Sequence, residues 1–369
     1  MKNVVLLLVT IFIFSTLQAA DKPGKPVRLA VAGIAHGHNG WILNRKKDSL
    51  IDLVGIYEPN TKLAMRLAET FKLDKALFYT DLAAMLEKVK PEGVLAFGTT
   101  YQHLSVVEAC APRGIPVMVE KPLATSMEHA QKILALSKKY NTLVLTNFET
   151  SWYPTTEKTY RLTADTSFMG EIRKVVMHYG HAGPKAIGVM PEFFDWLTDP
   201  VQNGGGALTD FGCYGANIMT CLMKGEMPLT VTAVIQHFQP EAYPKVDDEA
   251  TIILTYPKAQ CIIQASWNWP YGRKDMEVYG QNGYAITYDS KKMKAKSKNE
   301  PEQVMELTAE ETQTYADPFL YFSDVIRKKI EVPKSGLYSL ENNLIVTKIL
   351  DAAKRSAETG KTIIMKNEK

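Results

Sequence analysis

Between Val27 and about Thr146, short apolar runs alternate with helical stretches, and this alternation limits the fold more than any other feature. "VRLAVAG", "IDLVGIYE", "GVLAFGTT", "PVMVEKP" and "LVLTN" each read as a strand buried on both faces. Helical patterns such as "TKLAMRLAETF" separate them. Strands that are apolar throughout, joined by helices, build a parallel, doubly wound sheet of Rossmann type. Past Asn147 the pattern changes. A helix is expected near 154–163. Period-two runs follow in "TVTAVIQHF", "ATIILTYP", "AQCIIQASWNW", "DMEVYG" and "YAITYDS". Alternation of that kind predicts a large, mostly antiparallel open sheet with one covered face. "KKMKAKSKNEPE" at 291–302 reads as a solvated hairpin or loop, and helical patterns return at 317–330 and 340–357.

The first residues lie apart from this plan. "MKNVVLLLVTIFIFSTLQAADK" carries one early cation, an apolar run too short for a bilayer span, and small residues at its end. That is the layout of a secretory leader over 1–20, and it implies an exported, periplasmic protein. The expected division is then a leader over 1–20, a nucleotide-binding domain over 27–147, an α+β substrate and oligomerisation domain over 148–335, and a C-terminal helix and tail over 336–369. With 43 basic and 40 acidic residues and no long basic run, nucleic acid is excluded as a natural partner. Outside the leader no segment reads as a membrane span. Four cysteines lie far apart without a Cys-x-x-Cys pair, and no cluster has metal-ligand spacing, so no metal is expected.

Chemistry concentrates at a few motifs. After the first strand, "VAGIAHGHNG" places Gly33, Ala35 and His38 where a G-x-G-x-x-G turn has its glycines. His36 and His38 either contact phosphate or ribose or serve as ordinary loop histidines. Glu58 closes the second strand, where an acid binds the ribose hydroxyls or simply faces water. An acid there repels a 2′-phosphate, which favours NAD over NADP. "MVEKPLAT" puts Glu120 and Lys121 at the carboxyl edge of a strand, facing the crevice or paired with each other. "NGGGALTDFGCYGANIM" runs three glycines into a helical pattern. Asp210 and Tyr214 share one face of that helix, four residues apart. They are either a reactive pair or a capping aspartate with a half-buried tyrosine.

Taken together, "EKPLA", "GGGALTDFGCYGA", "TTYQH" at 99–103 and "YGQNG" at 279–283 resemble the GFO/IDH/MocA oxidoreductase family, over nearly the whole chain past the leader. The resemblance implies a nicotinamide-dependent oxidoreductase acting on a sugar or glycoside hydroxyl. Lys121 matches the family's active-site lysine, and Asp210 the aspartate that holds substrate hydroxyls. Tyr214 stands where many members have an acid–base histidine and the glucose–fructose oxidoreductase branch has tyrosine. Gly33, Glu58, Thr99, His103 and Glu120 match cofactor-side positions; Ala35, Thr100 and Ser151 depart from the pattern. His181 and Trp196 are added as candidates for the substrate side. The resemblance also implies a homo-oligomer. Lys121 is expected to lower the phenol's pKa from its free value near ten, leaving open which of the two takes the proton. An export signal on such an enzyme implies a tightly held cofactor, with C3 of the sugar ring as the first choice of site. The competing readings are a dehydrogenase with exchangeable NAD, cofactor-assisted glycoside cleavage, and a sugar-binding protein without turnover.

Overall fold

The computed structural model describes residues 25–45 and 49–365. The leader expected over 1–20 lies outside the described residues. Six parallel strands form the first sheet: β1 (Val27–Ala32), β2 (Ile51–Tyr57), β3 (Phe78–Tyr79), β4 (Gly93–Ala96), β5 (Val117–Glu120) and β6 (Val144–Asn147). Their order is β3-β2-β1-β4-β5-β6, so the strand order reverses between β1 and β4. A crevice opens at such a reversal, beyond the carboxyl ends of the strands. Leu29 to Ala32 are at most 1% exposed, which explains why β1 reads as an unbroken apolar run.

The second sheet has nine strands: β7 (Ile172–Gly180), β8 (Thr230–Gln236), β9 (Glu249–Thr255), β10 (Gln260–Ser266), β11 (Arg273–Gly280), β12 (Gly283–Thr287), β13 (Lys292–Ser297), β14 (Glu300–Glu306) and β15 (Ile363–Ile364). The order is β14-β13-β12-β11-β7-β10-β9-β8-β15. Every pairing is antiparallel except β7 with β10. In β9 the buried residues alternate, with Ala250, Ile252 and Leu254 facing the core. The 291–302 segment is indeed a hairpin. Its outer strand β14 is exposed almost throughout and rich in glutamate, a composition that discourages edge-to-edge pairing.

The C-terminal segment belongs to both halves. Phe319 and Phe322, on helix Pro318–Ile326, are buried in the core beneath β1 with Leu29 and Val31. Helix Leu340–Thr359 begins with Leu340 in the first domain's core and places Val346, Ile349 and Leu350 in the second's. The expected single helix after Gly206 is broken in two, Ala207–Asp210 and Gly212–Leu222. At the break the Tyr214 amide bonds to the Phe211 carbonyl, and the Asp210 carbonyl turns to the Lys121 ammonium at 3.1 Å.

Candidate active site

Lys121 ends β5's turn at the carboxyl edge of the first sheet. His103, on helix His103–Cys110, supports that turn from below through its ring Nδ1 and the Leu123 carbonyl, 3.2 Å apart. His103 is therefore a prop beneath the lysine. Thr99 caps the preceding turn and donates to the Gln202 side chain at 2.9 Å.

The glycines before Asp210 allow a tight entry. Gly204 and Gly205 have φ of +82° and +149°, and a Cβ on Gly206 would lie 1.8 Å from the Asp247 carbonyl oxygen. Asp247 closes the helix start from three sides. Its carboxylate accepts the Gly206 and Leu208 amides at 3.0 and 2.6 Å, and its carbonyl accepts the Ala207 amide at 3.0 Å. Asp247, just before β9, is thus the cap of the helix that carries Asp210.

Three distant parts of the chain then meet. Lys121 Nζ lies 2.5 Å from Asp210 Oδ1, and Trp267 donates its indole N–H to Asp210 Oδ2 at 3.0 Å. The lysine also stands over the Tyr214 ring, 5.0 Å from its centroid. Lys121 and Asp210 are almost wholly buried. Burial works against both charges, but mutual attraction outweighs it: the Lys121 pKa is raised and that of Asp210 lowered. The tyrosine behaves otherwise. It is 1% exposed and packed against Phe148, Tyr179 and Phe211. Burial, with the Glu149 carboxylate adding to it, pushes the phenol well above its ordinary range. This corrects the expectation that Lys121 readies Tyr214 as a base, because desolvation of the phenolate exceeds the pull of an ammonium already matched by Asp210. His181, just past β7, packs edge-on against Phe211 and is kept neutral chiefly by burial. Its Nδ1 accepts the Gly183 amide at 2.9 Å, leaving the ring proton on Nε2.

On the first domain, Gly33 has φ +79°, and a Cβ there would meet Gly98 Cα at 2.6 Å. Glu58 accepts the Ile34 amide at 3.0 Å and the Asn60 amide at 2.9 Å, which ties the turn after β1 to the end of β2. Each carboxylate oxygen keeps a further lone pair, so a ribose hydroxyl can still be received. Gly33 and the β2-end acid therefore fit a dinucleotide, with Gly33, Ala35 and Glu58 as the residues to hold it. Helix Pro191–Leu197 lies directly over the turn. A Cβ on Gly37 would meet the Phe193 ring at 2.9 Å, and Trp196 donates its indole N–H to the Ala35 carbonyl at 3.1 Å. Trp196 thus sits on the nucleotide turn, where its only polar atom is used.

His36 and His38 lean together with ring centroids 4.5 Å apart, and His38 stacks on Trp41 at 3.7 Å. His38 Nδ1 lies 3.0 Å from Glu120, whose other oxygen accepts the Asn147 amide at 2.5 Å. With Glu120 the two histidines put three possible metal-ligand atoms within 4.8 Å of one another, a grouping that their sequence spacing concealed. The hydrogen bonds within the trio account for that closeness. Burial pulls both histidines well below their ordinary pKa and raises that of Glu120.

Sequence patterns did not single out Lys274, Glu149 or Tyr153. Lys274 Nζ lies 5.2 Å from the Tyr214 ring centroid and pairs with Glu149, which accepts the Tyr153 hydroxyl at 2.6 Å. The four-residue spacing of Glu149 and Tyr153 was the one visible hint.

Two family models match the chain. "Oxidoreductase family, NAD-binding Rossmann fold" covers 27–148, and "GFO/IDH/MocA C-terminal domain" covers 158–286. Trans-1,2-dihydrobenzene-1,2-diol dehydrogenase of Xenopus tropicalis is 28% identical over 44% of this chain and 46% of its own length. The chain thus spans about half the length of that relative. D-xylose 1-dehydrogenase [NADP(+)] of Haloarcula marismortui is 21% identical over 63% of this chain and 64% of its own. Among solved structures, an inositol dehydrogenase homolog of Azotobacter vinelandii complexed with NAD+ has a TM-score of 0.78 at 18% identity, covering 92% of this chain and 98% of that one. The aldose-aldose oxidoreductase of Caulobacter crescentus complexed with glycerol has a TM-score of 0.75, also at 18% identity, covering 92% and 100%.

Proposed function

This chain belongs to the GFO/IDH/MocA oxidoreductase family, and we propose that it oxidises a ring hydroxyl of a sugar or glycoside, with C3 as the first choice, using a tightly held NAD. The observation that carries the reading is the meeting of Lys121, Asp210 and Tyr214 at the carboxyl edge of the first sheet. When bound, the nicotinamide supplies the two-electron acceptor that takes hydride from the carbinol carbon. The remaining work falls to the protein. Lys121 and Asp210 act as one acid–base unit. Asp210, held ionised, is the final proton acceptor: as Lys121 Nζ takes the substrate hydroxyl proton it passes one of its own to Asp210 Oδ1 at 2.5 Å, so the lysine stays charged throughout. The charged lysine stabilises oxygen charge at the reacting carbon. Tyr214, held protonated by burial, donates a hydrogen bond that orients the sugar. Trp267 fixes the free edge of Asp210 so that the carboxylate cannot swing away.

Glu58 supports NAD over NADP, because a 2′-phosphate beside a buried carboxylate is repelled. The helix over the nucleotide turn supports slow cofactor exchange. The apolar leader supports export. The test is mass spectrometry of nucleotide released from the purified protein, followed by a product screen on glucosides and galactosides. A protein that neither carries nor binds nicotinamide nucleotide, and leaves glycosides unchanged when given it, sinks the reading.

A further inference from the structure

A second ion pair stands beside the first. Lys274, near the start of β11, sits opposite Tyr179 of β7 in the antiparallel ladder. Its ammonium reaches the same aromatic ring as Lys121, 5.2 Å from the Tyr214 centroid against 5.0 Å. Glu149 holds it, and Tyr153 in turn holds Glu149. The Lys274 and Glu149 side chains are 25% and 28% exposed, whereas those of Lys121 and Asp210 are 6% and 7% exposed. Of the two pairs at the Tyr214 ring, the Lys274–Glu149 pair is therefore the outer, more exposed one. No motif assigns this outer pair a role.

We propose that Lys274 and Glu149 form a second hydroxyl-binding arm of the substrate site, and that the site takes an uncharged polyol and rejects an anionic sugar. The inference rests on the oxidoreductase reading above and names its substrate class. An ammonium offers three donors, and a carboxylate with two bonds made keeps free lone pairs. Two such pairs around one aromatic ring can engage separate hydroxyls of one sugar. Charge matching sets the class. Each lysine facing Tyr214 is matched by a carboxylate, and His36, His38 and His181 are kept neutral chiefly by burial. Glu120, bonded to His38, adds a further acid. A substrate carboxylate or phosphate would meet Asp210 and Glu149 with no spare cation among these groups, and that mismatch rejects it.

The experiment compares wild type, Lys274→Met, Lys274→Arg and Glu149→Gln on methyl β-glucoside and methyl β-glucuronide. NAD binding is followed by fluorescence titration, and folding by thermal midpoint. Wild type is expected to favour the glucoside at least tenfold in kcat/KM. Lys274→Met should raise KM for the glucoside about tenfold, with kcat within threefold and NAD affinity unchanged. Lys274→Arg should recover part of that loss, and Glu149→Gln should narrow the glucoside preference several-fold. Should Lys274→Met not fold, Lys274→Arg and Glu149→Gln carry the test. Equal use of the two sugars, or a KM indifferent to both positions, overturns the inference while leaving the oxidoreductase reading intact. A wild-type protein without nucleotide binding or turnover overturns both.

Discussion

The Trp267 indole N–H donates to Asp210 Oδ2 at 3.0 Å, from a position 57 residues further along the chain. The contact joins the end of β10 to the helix that carries the reactive carboxylate, and both side chains are buried. Asp210 is therefore fixed on two sides, by Lys121 on one oxygen and Trp267 on the other.

Trp267→Phe removes one of those fixings while keeping most of the bulk. Burial raises the Asp210 pKa, and Lys121 with lesser help from His181 and Trp267 brings it below the ordinary value. Losing the indole donor should move that pKa upward. The acidic limb of the kcat/KM profile should then shift to higher pH, with about a tenfold loss of kcat, from a bond to a charged group worth roughly 1.5–3 kcal/mol. Steady-state rates between pH 5 and 9 check this.

Breaking the Lys121–Asp210 pair from one side leaves a buried charge. Lys121→Met or Asp210→Asn alone should lower stability by about 3–5 kcal/mol, and the double variant by less than the sum of the two. Linkage gives the pH window. A raised lysine pKa stabilises below about 10.5 and fades as pH climbs through the folded value. A lowered aspartate pKa stabilises above about 3.8 and fades as pH falls through its folded value. The pair's contribution should therefore be flat across neutral pH, which denaturant titrations at several pH values would show.

His103 gives the acid side of the stability curve a distinct source. Burial draws its pKa down to about 4, with the Leu123 carbonyl opposing. As pH falls below about 6.5 the unfolded chain takes up a proton that the folded chain refuses. Stability then declines by about 1.4 kcal/mol per pH unit until the folded pKa is reached. His103→Gln should make the decline between pH 6.5 and 4.5 shallower by about 1.4 kcal/mol per pH unit, with buried His36, His38 and His181 supplying the remainder, as read from urea midpoints.

Asp247→Ala strips the cap from the helix bearing Asp210. The Gly206 and Leu208 amides lose their partner in a buried place, at a cost of about 1–3 kcal/mol. Thermal unfolding measures the loss, and kcat should fall with it because Asp210 lies within the first turn.

Trp196→Phe frees the Ala35 carbonyl and loosens the helix over the nucleotide turn. Bound nucleotide should dissociate several-fold faster, while KM for the sugar stays within twofold. Stopped-flow displacement of NADH fluorescence follows this directly.

The parallel sheet was legible because a strand buried on both faces must be apolar throughout, as β1 is. The antiparallel sheet was legible because β9 keeps a strict alternation. Lys121, Asp210 and Tyr214 were singled out by the resemblance of "EKPLA" and "GGGALTDFGCYGA" to the family's motifs, while their spacing alone left a surface ion pair and a capping aspartate open. What escaped was the state of Tyr214, which depends on how completely Phe148, Tyr179 and Phe211 wall it off. Trp196 escaped in another way: an indole in a loop-rich stretch has no period that tells which domain it will touch.

Local pattern alone decided the two sheets, the turn after β1 and the glycine entry before Asp210, because strand burial, helix periodicity and positive φ are properties of neighbouring residues. Tertiary structure alone decided that Trp267 meets Asp210, that Lys274 and Glu149 stand beside Tyr214, that the helix breaks at Phe211, and that burial raises the phenol's pKa. Those outcomes depend on distance and desolvation between segments far apart in the chain, and sequence spacing does not encode either quantity.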